Sequence, residues 1–233
     1  TGKETKRLEV IPEPEHEAQP LSPISFRNDV LPILNRAGCA SGNCHAKAGG
    51  RNGFQLSIFS FDPKSDHREI VQDARGRRVM PAAPDESLLL RKAMKVIDHE
   101  GGKRFEKGSE FHKALSNWIA QGAPYSIPDE PSLEGITASP AKGQYEKGQK
   151  VKLKVLARYS DGSKREVSHL ASYQSNDDGK ATVDENGLVT LGRESGEGVV
   201  VIRYVDEVAV VRLAIPVEKL LPSNAYSGLP VHN

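Results

Sequence analysis

The sequence predicts a mixed, multi-domain protein, a mainly α-helical domain followed by an all-β sandwich. Three observations predict it. At 233 residues the chain is long enough for two ordinary domains. Apolar residues recur with a helical period between residues 25 and 125 and with a period of two beyond about residue 150. A proline-containing stretch, YSIPDEPSLEG, separates the two regimes. The expected division is an extended arm or linker at 1–24, a helical domain at 25–125, a linker at 126–132, a sandwich at 133–218 and a linker at 219–233 leading to domains absent from this chain.

Composition narrows the function. The chain is 37% hydrophobic and 27% charged, a globular balance. Lys and Arg total 32 against 31 Asp and Glu, a net charge of +1, which gives no support to a nucleic-acid or membrane-surface binder. No run is apolar and long enough for a transmembrane segment, and TGKETKRLEV carries no apolar signal core.

Residues 1–24, rich in Glu, Lys and Pro, lack any period. A helix follows, with Ser25 as N-cap, Phe26, Val30, Ile33, Leu34 and Ala37 on one face, and Gly38 at its end. Pro32 within it should kink it or break it early. FQLSIFSF alternates like a strand before a turn at Asp62-Pro63. A short helix is expected over 64–72, and another from Pro84 to about Val96, with Leu88, Leu89 and Ala93 apolar. Ser109 caps a last helix whose stripe is Phe111, Leu115, Trp118 and Ile119, stopped by Gly122 and Pro124. Beyond the linker, Val151, Leu153 and Val155 point inward. Turns at SDGS, Asn186-Gly187 and Asp206-Glu207 join hairpin strands, and this succession of short strands reads as a β-sandwich.

Both cysteines lie in one stretch, AGCASGNCHAKAGG. Four residues separate Cys39 from Cys44, and His45 follows directly. A disulfide closing so short a loop constrains little of the unfolded chain and leaves His45 unexplained. Zinc usually takes two spaced ligand pairs, and adjacent Cys44 and His45 point apart. Covalent haem suits divergent neighbours, because thiols at the ring edge and an imidazole under its centre serve separate points. The usual attachment motif has two residues between the cysteines. Four need a bulged loop, which Ser41 and Gly42 could supply.

At this point the sequence resembles a known family. FRNDVLPILNRAGCASGNCHAKAGGRNGFQLSIFSFDP, GRRVMPAAPDESLLLRKA, HEGGKRF and LSNWIAQGAP occur in the order found in the c-type cytochrome domain of large planctomycete-type secreted proteins. ARYSDGSKREVSHLASYQSND and ATVDENGLVTL are similar to bacterial immunoglobulin-like domains of the invasin/intimin type. Together the resemblances cover roughly 25–217. They imply a cytochrome c-like haem domain with one covalent haem c on Cys39 and Cys44, His45 as proximal iron ligand, and helices 26–37 and 110–121 crossing beside it. They also imply an exported protein, periplasmic or at the cell surface, with further domains downstream.

A six-coordinate haem needs a ligand opposite His45, and His and Met are the common choices. The resemblance favours His99, in the loop DHEGGKRF, with Met80, followed by Pro81, as the alternative. Met94 reads as core, His112 as half-exposed beside the last helical stripe, and His67 as polar surface. His16 and His169 fall outside the haem domain. Arg77, Arg78 and Arg104 are candidate partners for haem propionates, since guanidinium forks suit carboxylates; surface arginine is the commoner role. GGRNG lacks the lysine and serine of a phosphate loop. Tyr159, Tyr173 and Tyr204 could stack on a surface glycan, though packing is the commoner use.

Three functions remain open on the sequence. The first is an electron carrier serving a redox partner protein or its own downstream domains. The second is a cell-surface adhesion or carbohydrate-binding module with a plain Cys39–Cys44 disulfide. The third is a haem enzyme or sensor with an open distal site.

Overall fold

The computed structural model describes residues 22–46 and 48–217. Nearly all of the expected arm, with His16, and the whole expected C-terminal linker lie outside them.

The helical half begins where Ser25 Oγ accepts the Asn28 N–H at 2.8 Å. Pro32 has no N–H to give the carbonyl four residues back, so the chain cannot start as a regular α-helix. It opens instead as a widened π turn, Phe26–Val30, and continues as α1, Leu31–Arg36. The expected break is thus absorbed in the first turn. Three further helices follow: α2 (Pro63–Val71), capped by Asp62 on the Ser65 N–H, α3 (Leu88–Ala93), and α4 (Glu110–Ala120), capped by Ser109 on the His112 N–H.

Two expected elements are corrected. FQLSIFSF forms no strand, because its backbone finds no partner strand. Leu56 N–H goes to His45 O, Ser57 N–H goes to the Asp66 carboxylate, and Ile58–Ser60 closes as a 3₁₀ turn. The helix expected from Pro84 to Val96 is interrupted at Ser87, whose backbone is extended and whose hydroxyl accepts the Met80 N–H. A 3₁₀ turn at Pro84–Glu86 therefore precedes α3, and Leu90 rather than Leu88 is its fully buried leucine.

The two terminal helices of this half meet through Phe26 and Trp118, whose rings stack at 5.5 Å. His67 and Tyr125 close the cluster edge-on, and His67 Nε2 bonds Ala123 O. His67 is therefore packed among aromatics and not on a polar surface. Its neighbours Arg68 and Glu69 concealed that, since α2 turns only one face outward. His112 is likewise buried, at 6% exposure, rather than half-exposed. Its Nδ1 accepts the Gly108 N–H, and Asp85 stands 3.2 Å from Nε2 without the alignment of a hydrogen bond.

The second half is an immunoglobulin-like β-sandwich of short strands: β1 (Leu133–Ser139), β2 (Lys142–Gln144), β3 (Lys150–Lys152), β4 (Lys154–Tyr159), β5 (Lys164–Glu166), β6 (Ser172–Ser175), β7 (Ala181–Val183), β8 (Leu188–Leu191), β9 (Gly196–Tyr204) and β10 (Glu207–Ile215). They form sheets in the orders β1-β4-β5, β2-β10-β9-β6 and β3-β8-β7, antiparallel except for β2 beside β10. Val151, Leu153, Val155, Val189, Val200 and Val211 fill the interior. One apolar core runs without a break from Phe26 and Trp118 into Tyr159, Tyr204 and Ile215. Among the described residues no helix is long and apolar enough to cross a membrane.

Candidate functional site

Helix α1 delivers the chain directly into the cysteine loop. Cys39 N–H bonds Leu34 O at 2.8 Å and Gly38 N–H bonds Asn35 O at 2.9 Å, with Gly38 at positive φ, so the helix closes at this glycine. Ser41 O then accepts both the Cys44 and Ala46 N–H groups, and His45 N–H returns to Cys39 O at 3.1 Å. The four residues between the cysteines are thus folded into a compact bulge centred on Ser41 and Gly42. Both cysteines are free thiols.

His45 and His99 come together across this loop. Their ring centroids are 6.2 Å apart and their planes differ by 14°. Each ring is held the same way: His45 Nδ1 bonds Phe54 O at 3.1 Å, and His99 Nδ1 bonds Gly102 O at 2.9 Å. A carbonyl only accepts, so Nδ1 carries a proton in both, and in the neutral ring Nε2 is the nitrogen with the lone pair. That is the tautomer a metal-binding imidazole adopts when its other nitrogen is anchored on a backbone carbonyl. A centroid spacing of 6.2 Å lies within the range of an offset-stacked ring pair. Two metal–imidazole bonds of about 2 Å on opposite sides of one atom give a spacing of about this size.

Glycines make both anchors. A Cβ on Gly50 would lie 2.2 Å from Phe54 O, the atom that holds His45, and one on Gly101 would lie 2.8 Å from His99 Cε1. The glycines of AGGRNG and HEGGKR therefore belong to one arrangement, although each looks like an ordinary loop in the sequence. The sequence reading missed Phe54 altogether. Its carbonyl orients His45, and its ring lies 4.5 Å from the imidazole.

Electrostatics follow from burial. Burial lowers the His45 pKa below the ordinary histidine value. The Phe54 carbonyl opposes this, while His99, Arg78 and Arg51 add to it. The lone pair of Nε2 is thereby kept free of a proton. Burial pushes the Cys39 thiol up to about 11, against the pull of Arg104. Arg104 Nη2 lies 3.3 Å from Cys44 Sγ, and its backbone N–H bonds Ala93 O at 2.7 Å. Arg104 thus ties the His99 loop and α3 to the cysteine loop.

The other candidates fall elsewhere. Arg78 is 4% exposed, and its guanidinium is occupied by the carbonyls of Glu69, Asp73 and Gly53 and lies over the Phe54 ring at 4.6 Å. Those bonds take it out of the set available to a propionate and make it a brace under the turn that orients His45. Arg77 is exposed, without a hydrogen bond or ion pair among the described residues. Met80 is 48% exposed in a surface turn, and Met94 is core. Tyr159 and Tyr204 are buried and bonded to each other, and half-buried Tyr173 donates to Ser168 O, so the packing role holds for all three. Among the described residues no group of three or more His, Cys, Asp or Glu side chains is placed to hold a metal ion by itself.

Residues 132–201 match the family model of the bacterial Ig-like domain (group 2). That defines the class of the second half. Solved structures similar to part of the chain are of the S-layer protein SbsC. Its domains 4 and 5 are 21% identical over 37% of this chain and 53% of that one, with a TM-score of 0.32. The longer SbsC structure, residues 31–844, is 22% identical over 46% of this chain and 15% of its own, with a TM-score of 0.33. The chain thus spans about half or less of the surface-layer structures it matches. No match is found among curated proteins.

Proposed function

We propose that this is an exported, surface-type protein in which an Ig-like sandwich is joined to a helical domain that binds one covalent haem c and carries electrons. The observation that carries the reading is the pair of near-parallel imidazoles, 6.2 Å apart, each with Nδ1 on a backbone carbonyl, beside two free thiols. In this reading Cys39 and Cys44 would hold the haem through thioethers, and His45 and His99 would ligate its iron. Arg104 is the propionate partner closest to the loop. A bound haem c supplies a one-electron iron couple. The protein's part would be to hold both imidazoles in the Nδ1–H tautomer and to keep them from turning. Two nitrogen ligands favour a lower potential than a histidine–methionine pair. Attachment of c-type haem outside the cytoplasm and the Ig-like module both favour an exported location.

The test is expression in cells equipped for haem attachment, followed by a pyridine haemochrome spectrum and an intact mass. The expected result is a red protein, one haem heavier than the chain, whose colour survives denaturation. His99→Ala should change the low-spin spectrum to high-spin, while Met80→Ala leaves it unchanged. The opposite pattern would assign the distal position to Met80, and a high-spin wild type would indicate an open distal site.

A second reading is favoured by the Ig-like match at 132–201. It is a cell-surface adhesion or glycan-binding module with a Cys39–Cys44 disulfide and no haem. A colourless protein two hydrogens lighter than the reduced chain would establish it over the first.

A further inference from the structure

We infer that the Ig-like sandwich clamps the helix that enters the cysteine loop, so that the two halves of the chain unfold as one unit. The inference concerns the joint between them and does not depend on what the cysteine loop binds.

The clamp starts from Pro32. Because proline has no N–H, the carbonyl of Asn28 has no partner four residues on. That carbonyl points out of the helix and is taken by the Tyr204 hydroxyl of β9 at 2.7 Å. A carbonyl only accepts, so Tyr204 donates its one proton there, and the bond between the two hydroxyls, at 2.9 Å, must come from Tyr159 on β4. Both tyrosines are nearly fully buried. Burial, with Tyr159 beside it, pushes the Tyr204 hydroxyl far above the usual phenol range, so it stays a donor at any working pH.

Other bonds surround this one. Asp29, on the same turn, accepts Arg165 of β5 at 2.5 Å and also the Ser25 N–H at 2.9 Å. Asn28 Nδ2 donates to Pro131 O at 3.3 Å, and Ser25 Oγ donates to Glu130. Arg36, at the end of α1, reaches Glu185 at 3.7 Å. Every turn from Ser25 to Arg36 is therefore fastened to the sandwich or to the segment leading into it, and Cys39 follows three residues later. A flexible spacer would need none of these contacts, and domains move independently unless a large apolar interface joins them, as the continuous core does here.

The test uses the full chain, because Trp118 is its single tryptophan and lies in the helical half. Urea unfolding is followed by Trp118 fluorescence and, in parallel, by far-ultraviolet circular dichroism. One coincident transition is expected. Val211→Ala, inside the sandwich and away from the joint, should lower the Trp118 midpoint together with the dichroism midpoint. Tyr204→Phe leaves the Asn28 carbonyl unpartnered and should raise the unfolding equilibrium constant seen at Trp118 by about ten- to a hundredfold. Separate transitions, or a Trp118 midpoint unmoved by either substitution, would overturn the inference.

Discussion

Replacing Arg78 with alanine tests whether this arginine is a brace or a surface charge. Its guanidinium makes two short bonds to the carbonyls of Glu69 and Gly53, a longer one of 3.3 Å to Asp73 O, and lies over Phe54 at 4.6 Å. Hydrogen bonds with one charged partner contribute about 1.5–3 kcal/mol each, and a cation–π contact about 1 kcal/mol. Against this, removing a guanidinium that is 4% exposed relieves a desolvation cost of several kcal/mol. The three carbonyls are then left without their donor. We expect a net loss of about 3 kcal/mol, more than a hundredfold in the unfolding equilibrium. Arg78→Lys, which can reach only part of the set, should lose about half as much. The assay is urea unfolding read by Trp118 fluorescence, with exposed Arg77→Ala as the control, expected within about 0.5 kcal/mol of wild type. If Arg78→Ala also falls within that margin, the guanidinium carries no structural load and is free for a ligand after all.

Other substitutions probe the remaining contacts. Gly50→Ala should destabilise the turn that holds His45, since its Cβ would sit 2.2 Å from Phe54 O; a histidine ring NMR signal for Nδ1–H that survives unchanged would refute this. In chain made without haem, Cys39 should alkylate far more slowly than a free thiol at neutral pH, because burial pushes its thiol up to about 11; peptide mass spectrometry after timed iodoacetamide treatment reads the rate, and labelling at the free-thiol rate would refute it. Leu90→Ala, at 0% exposure, should cost about 3–5 kcal/mol in the same urea assay, and a loss below 1 kcal/mol would show that the site collapses around the cavity. Asp66 is buried, and its pKa is raised by that burial despite bonds from the Ser57 N–H and hydroxyl. A raised acid means that the folded chain binds more protons than the unfolded one, so the wild type should gain stability relative to Asp66→Asn as pH falls from neutral toward 4. A difference that stays constant or shrinks over that range would contradict it.

Much of the fold was legible because it depends on local pattern. Ser25 and Ser109 cap helices as their position before an apolar stripe requires, and Val151, Leu153 and Val155 face inward as a period of two demands. The alternation of FQLSIFSF was equally clear and gave the wrong element, because a strand needs a partner and none stands beside it. The same limit explains His67 and His112, whose burial depends on which distant rings and loops close over them.

The sequence by itself determined the two-part organisation, the clustering of Cys39, Cys44 and His45, and the short list that contained His99. Spacing along the chain carries that information. Only the tertiary structure brought His99 to His45, chose a carbonyl for each Nδ1, withdrew Arg78 into the turn beneath Phe54, and seated Tyr204 on the carbonyl that Pro32 leaves free. Apart from the local His99–Gly102 bond, those hydrogen bonds join residues between 9 and 176 positions apart in the chain. Geometry of that kind is set by how the whole core packs, and no local period records it.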